Sequence, residues 1–412
     1  MGQFFPNVAI VEKKMWRGPE LRTRFESLDA LLTRYEFIWK VQPFTTLQNP
    51  WLKKAPEMAD WVDGLSFEQA QQLERDDESR QQALRRFIPE LDEMLELCKA
   101  EPLPDFEMEI PQEWLMNIKG RKIEQITAFA SRLRPSEFPY LEWCSGKGHL
   151  ARLLAHAHQQ TAHCLEINRS LLEHGRELAR EQGVDVHFAE GDALDESSLE
   201  LLQPERHAIA LHACGVLHRR LIQAGASLQT RRLSVAPCCY AREPYLEYQP
   251  FSEAGRNARL KLSKDNIRLA TQETVVASPR ITQLRLKNNG WRLAFDCLLR
   301  DLTGKDEYTK MHSLSKKYLH GDFETWAHTL AEREGIKLPE GIDYAAYETL
   351  GRQRQEYCSP LELPRFPFRR PLEVWLLLDR ALFLQEKGYD VTLGLFCEKK
   401  SSPRNFLIQA ER

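Results

Sequence analysis

The 412-residue chain lacks a long hydrophobic run, and this absence argues against a membrane-spanning protein. Its apolar stretches are short, such as the run from Val374 to Leu378, which Glu373 and Asp379 flank. A membrane-spanning helix needs about 20 mostly apolar residues. Residues 1–15 also lack an apolar core followed by a small-residue cleavage site. The sequence therefore predicts a soluble protein with no membrane partner and no secretion signal.

The chain also lacks a regular cysteine spacing and a large net charge. The nine Cys are an odd number and lie scattered, apart from the pair Cys238-Cys239. A disulfide framework is not typical of so large a chain, so we expect a reducing, cytoplasmic location. The 57 Lys and Arg nearly balance the 60 Asp and Glu, for a net charge of -3. This balance excludes a uniformly basic nucleic-acid-binding tail but permits a local basic surface.

The spacing of apolar residues changes along the chain. Residues 27–133 carry apolar side chains at three- and four-residue spacing, for example the stripe from Leu84 to Leu95, which predicts helices. From Phe138 to Tyr240, short apolar runs alternate with helix-length segments, which predicts a parallel sheet. The predicted strands are 140–144, 162–167, 184–189, 209–213 and 233–236, and the clearest predicted helices are 149–157 and 169–181.

The end of the chain is predicted to complete that sheet. An apolar helix at 372–387 precedes two strand-like runs, 389–397 and 404–410, joined by a turn. The predicted domains are an N-terminal helical domain (1–115), an α/β domain (116–240 and 367–412) and a mostly helical insertion (241–366).

A glycine-containing turn follows the first predicted strand. The run from Glu142 to His149 reads EWCSGKGH, and glycines in such a turn let the backbone pass close to a ligand. A phosphate-binding loop needs Ser or Thr at Gly148, and a dinucleotide fingerprint needs glycine at Cys144 and His149. The acid-x-Gly-x-Gly-x-Gly turn that holds S-adenosylmethionine matches better, at Glu142, Gly146 and Gly148, with Cys144 in the first glycine slot.

Two further acids lie at the ends of the next two predicted strands. Glu166 closes the second strand, where a carboxylate can accept both ribose hydroxyls. Asp192 closes the third, where it can accept from an adenine amino group while the backbone N–H of Ala193 meets a ring nitrogen. Together with Glu142 these acids would surround one nucleoside. Ordinary strand-to-helix turns with capping acids are the alternative.

Three segments together resemble the Rossmann-like S-adenosylmethionine-dependent methyltransferases. They are Glu142 to His149, Leu211 to Gly215 (LHACG) and Ala236 to Tyr240 (APCCY). More narrowly, the chain resembles the methyltransferase-domain group that includes methyltransferase-like proteins labelled as containing a glutathione S-transferase C-terminal domain or an rRNA adenine dimethylase domain. The resemblance covers about Arg121 to Tyr240 and the segment after Phe368.

The resemblance implies a fold, a cofactor and a set of site residues. The fold would be α/β, a Rossmann-like class I methyltransferase sheet with helices on both faces, flanked by the N-terminal helical domain and the insertion. The cofactor would be S-adenosyl-L-methionine. The implied cofactor-binding residues are Glu142, Cys144, Gly146, Gly148, Glu166, Asp192 and Ala193.

Two cysteine motifs follow the fourth and fifth predicted strands. His212 and Cys214 form the first, and Cys238, Cys239 and Tyr240 form the second; these five are the candidate catalytic residues. Four interpretations stay open: a zinc site, a nucleophilic Cys238, buried packing thiols, and a substrate-contact loop in which Tyr240 offers an aromatic face. We expect no metal, because adjacent cysteines rarely reach one ion together. His212 would accept a proton from the acceptor or serve a structural role.

The acceptor is the least defined part of the prediction. RNA, either tRNA or rRNA, is our first hypothesis because the insertion is rich in basic residues. A protein acceptor and a non-catalytic cofactor-binding protein are the alternatives. The oligomeric state is not predicted. Trp291 and the run from Arg365 to Arg370, which contains Phe366 and Phe368, add aromatic and cationic groups of the kind that stack bases. The basic residues of the insertion include Arg256, Arg259, Lys261, Lys264, Arg268, Arg280, Arg285, Lys287 and Arg292.

Overall fold

A computed structural model describes residues 15–115, 120–272 and 279–412. The predicted start of the α/β domain, at residue 116, lies outside these ranges. Within them, eight strands form one sheet. They are β1 (Trp16–Arg17), β2 (Tyr140–Trp143), β3 (Ala162–Glu166), β4 (Val186–Glu190), β5 (His207–Ala210), β6 (Arg232–Val235), β7 (Asp390–Leu395) and β8 (Phe406–Glu411).

The order of the strands creates a crevice at one edge of the sheet. The order is β1-β7-β8-β6-β5-β2-β3-β4, in which β6, β5, β2, β3 and β4 are mutually parallel. The chain runs outward from β2 through β3 to β4, then returns to place β5 on the other side of β2. Open α/β sheets bind ligands at such a reversal, outside the carboxyl ends of the strands. The α/β fold class expected from the sequence is confirmed.

Seventeen α-helices accompany the sheet in the described ranges. In chain order they are α1 (Glu20–Arg34), α2 (Glu36–Trp39), α3 (Pro56–Asp63), α4 (Phe67–Arg75), α5 (Asp77–Leu84), α6 (Leu91–Glu96), α7 (Gln112–Leu115), α8 (Arg121–Ser131), α9 (His149–Ala157), α10 (Arg169–Gln182), α11 (Val216–Ser227), α12 (Glu253–Asn257), α13 (Lys264–Thr271), α14 (Pro279–Thr303), α15 (Phe323–Glu334), α16 (Tyr344–Glu362) and α17 (Arg369–Glu386). Short 3-10 helices lie at Pro43–Thr45, Glu196–Leu201, Lys316–His320 and Leu363–Phe368.

The chain divides into two compact units. The sheet unit comprises Met1–Thr33, Glu93–Val275 and Phe368–Arg412, and the helical unit comprises Arg34–Asp92 and Val276–Pro367. These boundaries differ from the predicted domains, because the N-terminal segment and the insertion are each shared between the two units. No described helix is both long and apolar enough to cross a membrane.

Each unit has its own apolar core. In the sheet unit, α8 and α9 pack on the sheet through residues that include Phe129, Leu150 and Leu154, which meet Ile209 of β5 and Leu407 of β8. These residues are buried because α9 presents apolar side chains at helical spacing toward the strands.

Aromatic residues form much of the core of the helical unit. Trp291 and Phe295 of α14 contact Trp326 of α15. The helical stripe expected from Leu84 to Leu95 is interrupted, since α5 ends at Leu84 and α6 begins at Leu91, with Pro89 between them.

Candidate active site

The turn after β2 adopts the left-handed backbone conformation at three positions. The φ angles are 60° at Cys144, 60° at Gly146 and 64° at Gly148. Cys144 thus takes the conformation that glycine adopts most readily, at some strain for a residue with a Cβ atom. A Cβ at Gly148 would lie 2.9 Å from Cys164 Sγ and from a ring carbon of Phe188, whereas a Cβ at Gly146 would meet nothing within 4 Å. The turn is therefore packed on its sheet side and open at Gly146.

Glu166, at the end of β3, is bonded to this turn. Its Oε2 accepts a hydrogen bond from the Gly146 backbone N at 2.9 Å, and its Oε1 accepts from the Asn168 backbone N at 3.0 Å. A carboxylate offers about four acceptor positions, so about half remain for a ligand. Glu166 therefore braces the glycine turn and keeps capacity for the ribose contact expected from the sequence.

Asp192 lies beyond the end of β4 and is half-buried. Its Oδ1 accepts from the Leu194 backbone N at 2.9 Å, and its backbone carbonyl accepts from Ser198 Oγ at 2.6 Å. Ala193 is buried beside it. The loop is thus fixed by short local bonds, while the second carboxylate oxygen of Asp192 has no hydrogen bond within the described chain.

Glu142 is buried beneath the turn, with 8% of its surface exposed. Its Oε2 accepts from the backbone N of Ala151, in the first turn of α9, at 2.9 Å. Burial raises the pKa of Glu142 to about 7, although the Ala151 N–H and the charges of Lys122 and Arg152 act in the opposite direction. A cationic ligand placed beside Glu142 would favour its ionised form.

The electrostatics at Cys144 show that the three acids converge. Burial raises the pKa of the Cys144 thiol to about 12, and the charges of Glu166, Asp192 and Glu142 and the thiol of Cys214 add to the rise. Side chains at the ends of β2, β3, β4 and β5 therefore all influence the thiol of Cys144. The structure brings together the cofactor-binding residues expected from the sequence.

Three cysteines from two loops form a cluster, which we call the thiol cluster: Cys214, Cys238 and Cys239. The Sγ atoms of Cys214 and Cys238 are 3.1 Å apart, and all three sulfurs lie within 4.8 Å of one another. Hydrogen bonds from the thiols of Cys214 and Cys238 lower the pKa of Cys239, and the charge of Arg242 acts in the same direction. Hydrogen bonds with Cys214 and Cys239, together with burial, raise the pKa of Cys238. The pKa of Cys214 is raised as well, so Cys239 is the most acidic thiol of the cluster.

Backbone contacts hold the two cysteine loops together. The Val216 backbone N donates to the Arg242 carbonyl at 3.0 Å, and the Arg242 N donates to the Cys239 carbonyl at 2.9 Å. A Cβ at Gly215 would lie 1.9 Å from the Arg242 carbonyl oxygen, so only glycine permits this approach. Because β5 and β6 are parallel neighbours, their carboxyl-terminal loops meet at the edge that carries the glycine turn.

His212 is exposed next to the thiol cluster. Partial desolvation and the nearby charge of Lys122 lower its pKa, while Cys239 acts to raise it. The ring is therefore neutral at pH 7 and available to accept a proton. His212 is not among the residues whose ligand atoms lie within 4.8 Å of one another in the cluster.

The placement of Tyr240 corrects one expectation. Tyr240 is 1% exposed, its hydroxyl donates to the Pro237 carbonyl at 3.4 Å, and the guanidinium of Arg380 lies 4.9 Å from its ring centre. It cannot offer an aromatic face to a substrate, because α17 covers it. Tyr240 instead packs the loop that carries Cys238 and Cys239.

A buried charged network that the sequence analysis did not identify supports these loops. Arg380 Nε donates to His218 Nε2 at 3.0 Å, and His218 Nδ1 donates to the Ala213 carbonyl at 3.2 Å, next to Cys214. Asp379 accepts from the Tyr248 hydroxyl at 2.6 Å and from three groups of Phe251 and Ser252. The available signal was the charged pair Asp379-Arg380 between the apolar runs Val374–Leu378 and Ala381–Leu384 of α17.

Residues 119–242 match the family model of a methyltransferase domain. The match includes the glycine turn, the strand-end acids and both cysteine loops. It supports the methyltransferase activity and the S-adenosyl-L-methionine cofactor expected from the sequence. The narrower subgroup stays a prediction. A search of curated proteins finds no match.

Several solved structures resemble part of the chain. TYW2 of M. jannaschii, in complex with AdoMet, is 15% identical over 29% of this chain and 53% of its own, with a TM-score of 0.25. A SAM-dependent methyltransferase from Geobacter sulfurreducens, in complex with S-adenosyl-L-homocysteine, is 19% identical over 31% of this chain and 56% of its own, with a TM-score of 0.24. An rRNA methylase from Streptococcus thermophilus is 14% identical over 29% of this chain and 71% of its own, with a TM-score of 0.23. The matched region thus spans about half the length of the first two proteins.

Proposed function

We propose that the sheet unit is an S-adenosylmethionine-dependent methyltransferase. The observation that carries the proposal is the convergence of Glu142, Glu166 and Asp192 on a left-handed glycine turn that is open at Gly146. When bound, the cofactor supplies an electrophilic methyl group on a cationic sulfonium. Glu166 and Asp192 offer acceptor oxygens to ribose hydroxyls and an adenine amino group. Glu142 supplies negative charge near the cationic end.

We place the methyl acceptor beside the loops after β5 and β6. His212 is exposed and neutral near pH 7, so an imidazole nitrogen accepts a proton from an attacking oxygen or nitrogen. The other residues of the site hold the acceptor atom in line with the methyl group of the cofactor, which methyl transfer requires. This role requires no covalent intermediate on Cys238.

We propose RNA as the class of acceptor, but the support comes from cations other than the basic residues that the sequence analysis named. Much of the insertion's basic charge is used internally: Lys264 Nζ donates to the Glu243 carbonyl at 2.7 Å, and Arg285 pairs with Glu74 at 3.0 Å. Trp291 is buried in the core of the helical unit, so it does not present a face for base stacking.

Three cations near the glycine turn and the thiol cluster support an anionic acceptor. This cationic rim consists of Lys122, Lys147 and Arg242. Burial is the main cause that lowers the pKa of His149 to about 3, and the charges of Arg152, Lys122 and Lys147 lower it further. The charge of Arg242 lowers the pKa of Cys239. The three rim cations therefore act on the end of the glycine turn and on the thiol cluster. Lys122 and Arg242 are exposed. Such a rim would neutralise phosphates beside the transferring methyl group.

The test is transfer of tritium from methyl-labelled cofactor into cell extract, followed by nuclease or protease digestion. Label released by nuclease is the expected result. Protease-released label would replace RNA with a protein acceptor, and absence of label would leave only cofactor binding.

A pair of glycine variants ties that activity to the proposed pocket. Gly146→Ala and Gly183→Ala both place a Cβ at a left-handed position, with φ of 60° and 63°, and neither Cβ meets an atom within 4 Å. Gly183 ends α10, away from the turn. We expect similar losses of stability, about 1 kcal/mol each, but loss of methyl transfer only in Gly146→Ala. Equal activities would place the cofactor elsewhere.

A further inference from the structure

We propose that the thiol cluster is a zinc site in which Cys214, Cys238 and Cys239 supply three thiolates. Zn–S bonds are about 2.3 Å long, so tetrahedral geometry places bound sulfurs about 3.8 Å apart. The three sulfurs already lie within 4.8 Å of one another, with Cys214 and Cys238 at 3.1 Å. Small side-chain rotations bring all three to bonding distance of one ion.

The backbone holds these sulfurs in place before any ion binds. The bond from Val216 N to the Arg242 carbonyl joins the two cysteine loops, and Gly215 makes that approach possible. His218 fixes the Ala213 carbonyl next to Cys214. The sequence-based expectation of no metal rested on the adjacency of Cys238 and Cys239. In the structure both of their side chains turn toward Cys214.

The donor set selects the kind of ion. Three sulfur donors are soft ligands, which suit Zn²⁺ and do not suit Mg²⁺ or Ca²⁺. His212 is not part of the set. Three protein ligands with an open fourth position are typical of zinc sites that bind water or a reacting group. The open position would lie at the carboxyl edge of β5 and β6, where Cys214 also acts electrostatically on Cys144.

The experiment uses the full chain, purified with a reductant, stripped by a chelator and titrated with Zn²⁺ alone. We expect about one tightly bound zinc per chain by elemental analysis. Cys214→Ser, Cys238→Ser and Cys239→Ser should each weaken zinc binding at least about tenfold. Cys397→Ser, which alters a partly buried cysteine outside the cluster, is the matched control and should bind zinc as the wild type does.

Two measurements on the wild-type chain do not depend on the folding of variants. Co²⁺ in place of zinc should give intense thiolate-to-cobalt charge-transfer absorption, and zinc should protect Cys214, Cys238 and Cys239 from alkylation. Absence of the cobalt band, or zinc binding unchanged in the three serine variants, would overturn the proposal. A Cys214–Cys238 disulfide that persists in protein kept with reductant and zinc would also overturn the proposal, in favour of a redox pair.

Discussion

The buried carboxyl of Glu142 allows a quantitative prediction about stability and pH. Burial raises its pKa from 4.5 to about 7. This difference corresponds to about 3 kcal/mol between the two protonation states, at about 1.4 kcal/mol per unit. Because the folded state holds the proton more tightly than the unfolded state, folding gains stability from Glu142 below about pH 4.5 and loses it as the pH rises through about 7.

The substitution Glu142→Gln isolates this effect. Glutamine has nearly the same shape and keeps an oxygen that can accept from the Ala151 N–H, but it does not ionise. We expect the variant and the wild type to have similar free energies of unfolding near pH 4. The variant should be more stable by about 3 kcal/mol near pH 8.5.

Urea unfolding over a pH series measures the difference directly. Glu205→Gln is the control, because it makes the same change at an exposed position. A pH-independent difference for Glu142→Gln would refute the reasoning, because it would mean that Glu142 titrates normally in the folded state. Near pH 8.5 the same variant should bind the cationic cofactor more weakly than the wild type, by calorimetry, since it lacks the negative charge.

Three further substitutions test the packing of the site by urea unfolding. Cys144→Val should destabilise the fold by about 2 kcal/mol, because a β-branched residue is strained at a φ of 60°, and an unchanged stability would contradict that backbone conformation. Gly148→Ala should lose about 1–3 kcal/mol, because its Cβ would lie 2.9 Å from Cys164 Sγ; a loss no larger than that of Gly183→Ala would mean that the turn relaxes. Asp379→Asn should lose about 3 kcal/mol or more, because the amide cannot accept from all the donors that now surround the carboxylate, and a loss below about 1 kcal/mol would argue against the network.

Much of the sheet was predictable because its signals are local. The strand near Tyr140 and the helix 149–157 follow from short apolar runs and helical spacing, and the structure has them at Tyr140–Trp143 and His149–Ala157. The strand-end acids were predictable for the same reason, since parallel strands bring their carboxyl ends to one edge. β1 was missed because two residues, Trp16 and Arg17, carry no periodic pattern.

The acceptor side was less predictable because it depends on contacts between distant parts of the chain. Tyr240 is buried by Arg380, which follows it by 140 positions in the sequence. The thiol cluster forms because Gly215 lets the backbone of Arg242 approach, a contact that spacing along the chain does not reveal. Likewise, Asp379 appeared in the sequence only as a charge that limits an apolar run, whereas in the structure it organises the segment around Ser252.

The most direct test of the cofactor pocket is calorimetric titration of S-adenosylmethionine into three proteins: wild type, Asp192→Ala and Asp195→Ala. Asp195 is exposed nearby, and its side chain makes no capping hydrogen bond, so it serves as the control. The account predicts about one site per chain in the wild type and in Asp195→Ala. It predicts affinity about 10- to 100-fold weaker in Asp192→Ala, from loss of a hydrogen bond to a charged group. Equal affinity in all three proteins, or no binding to the wild type, would contradict it.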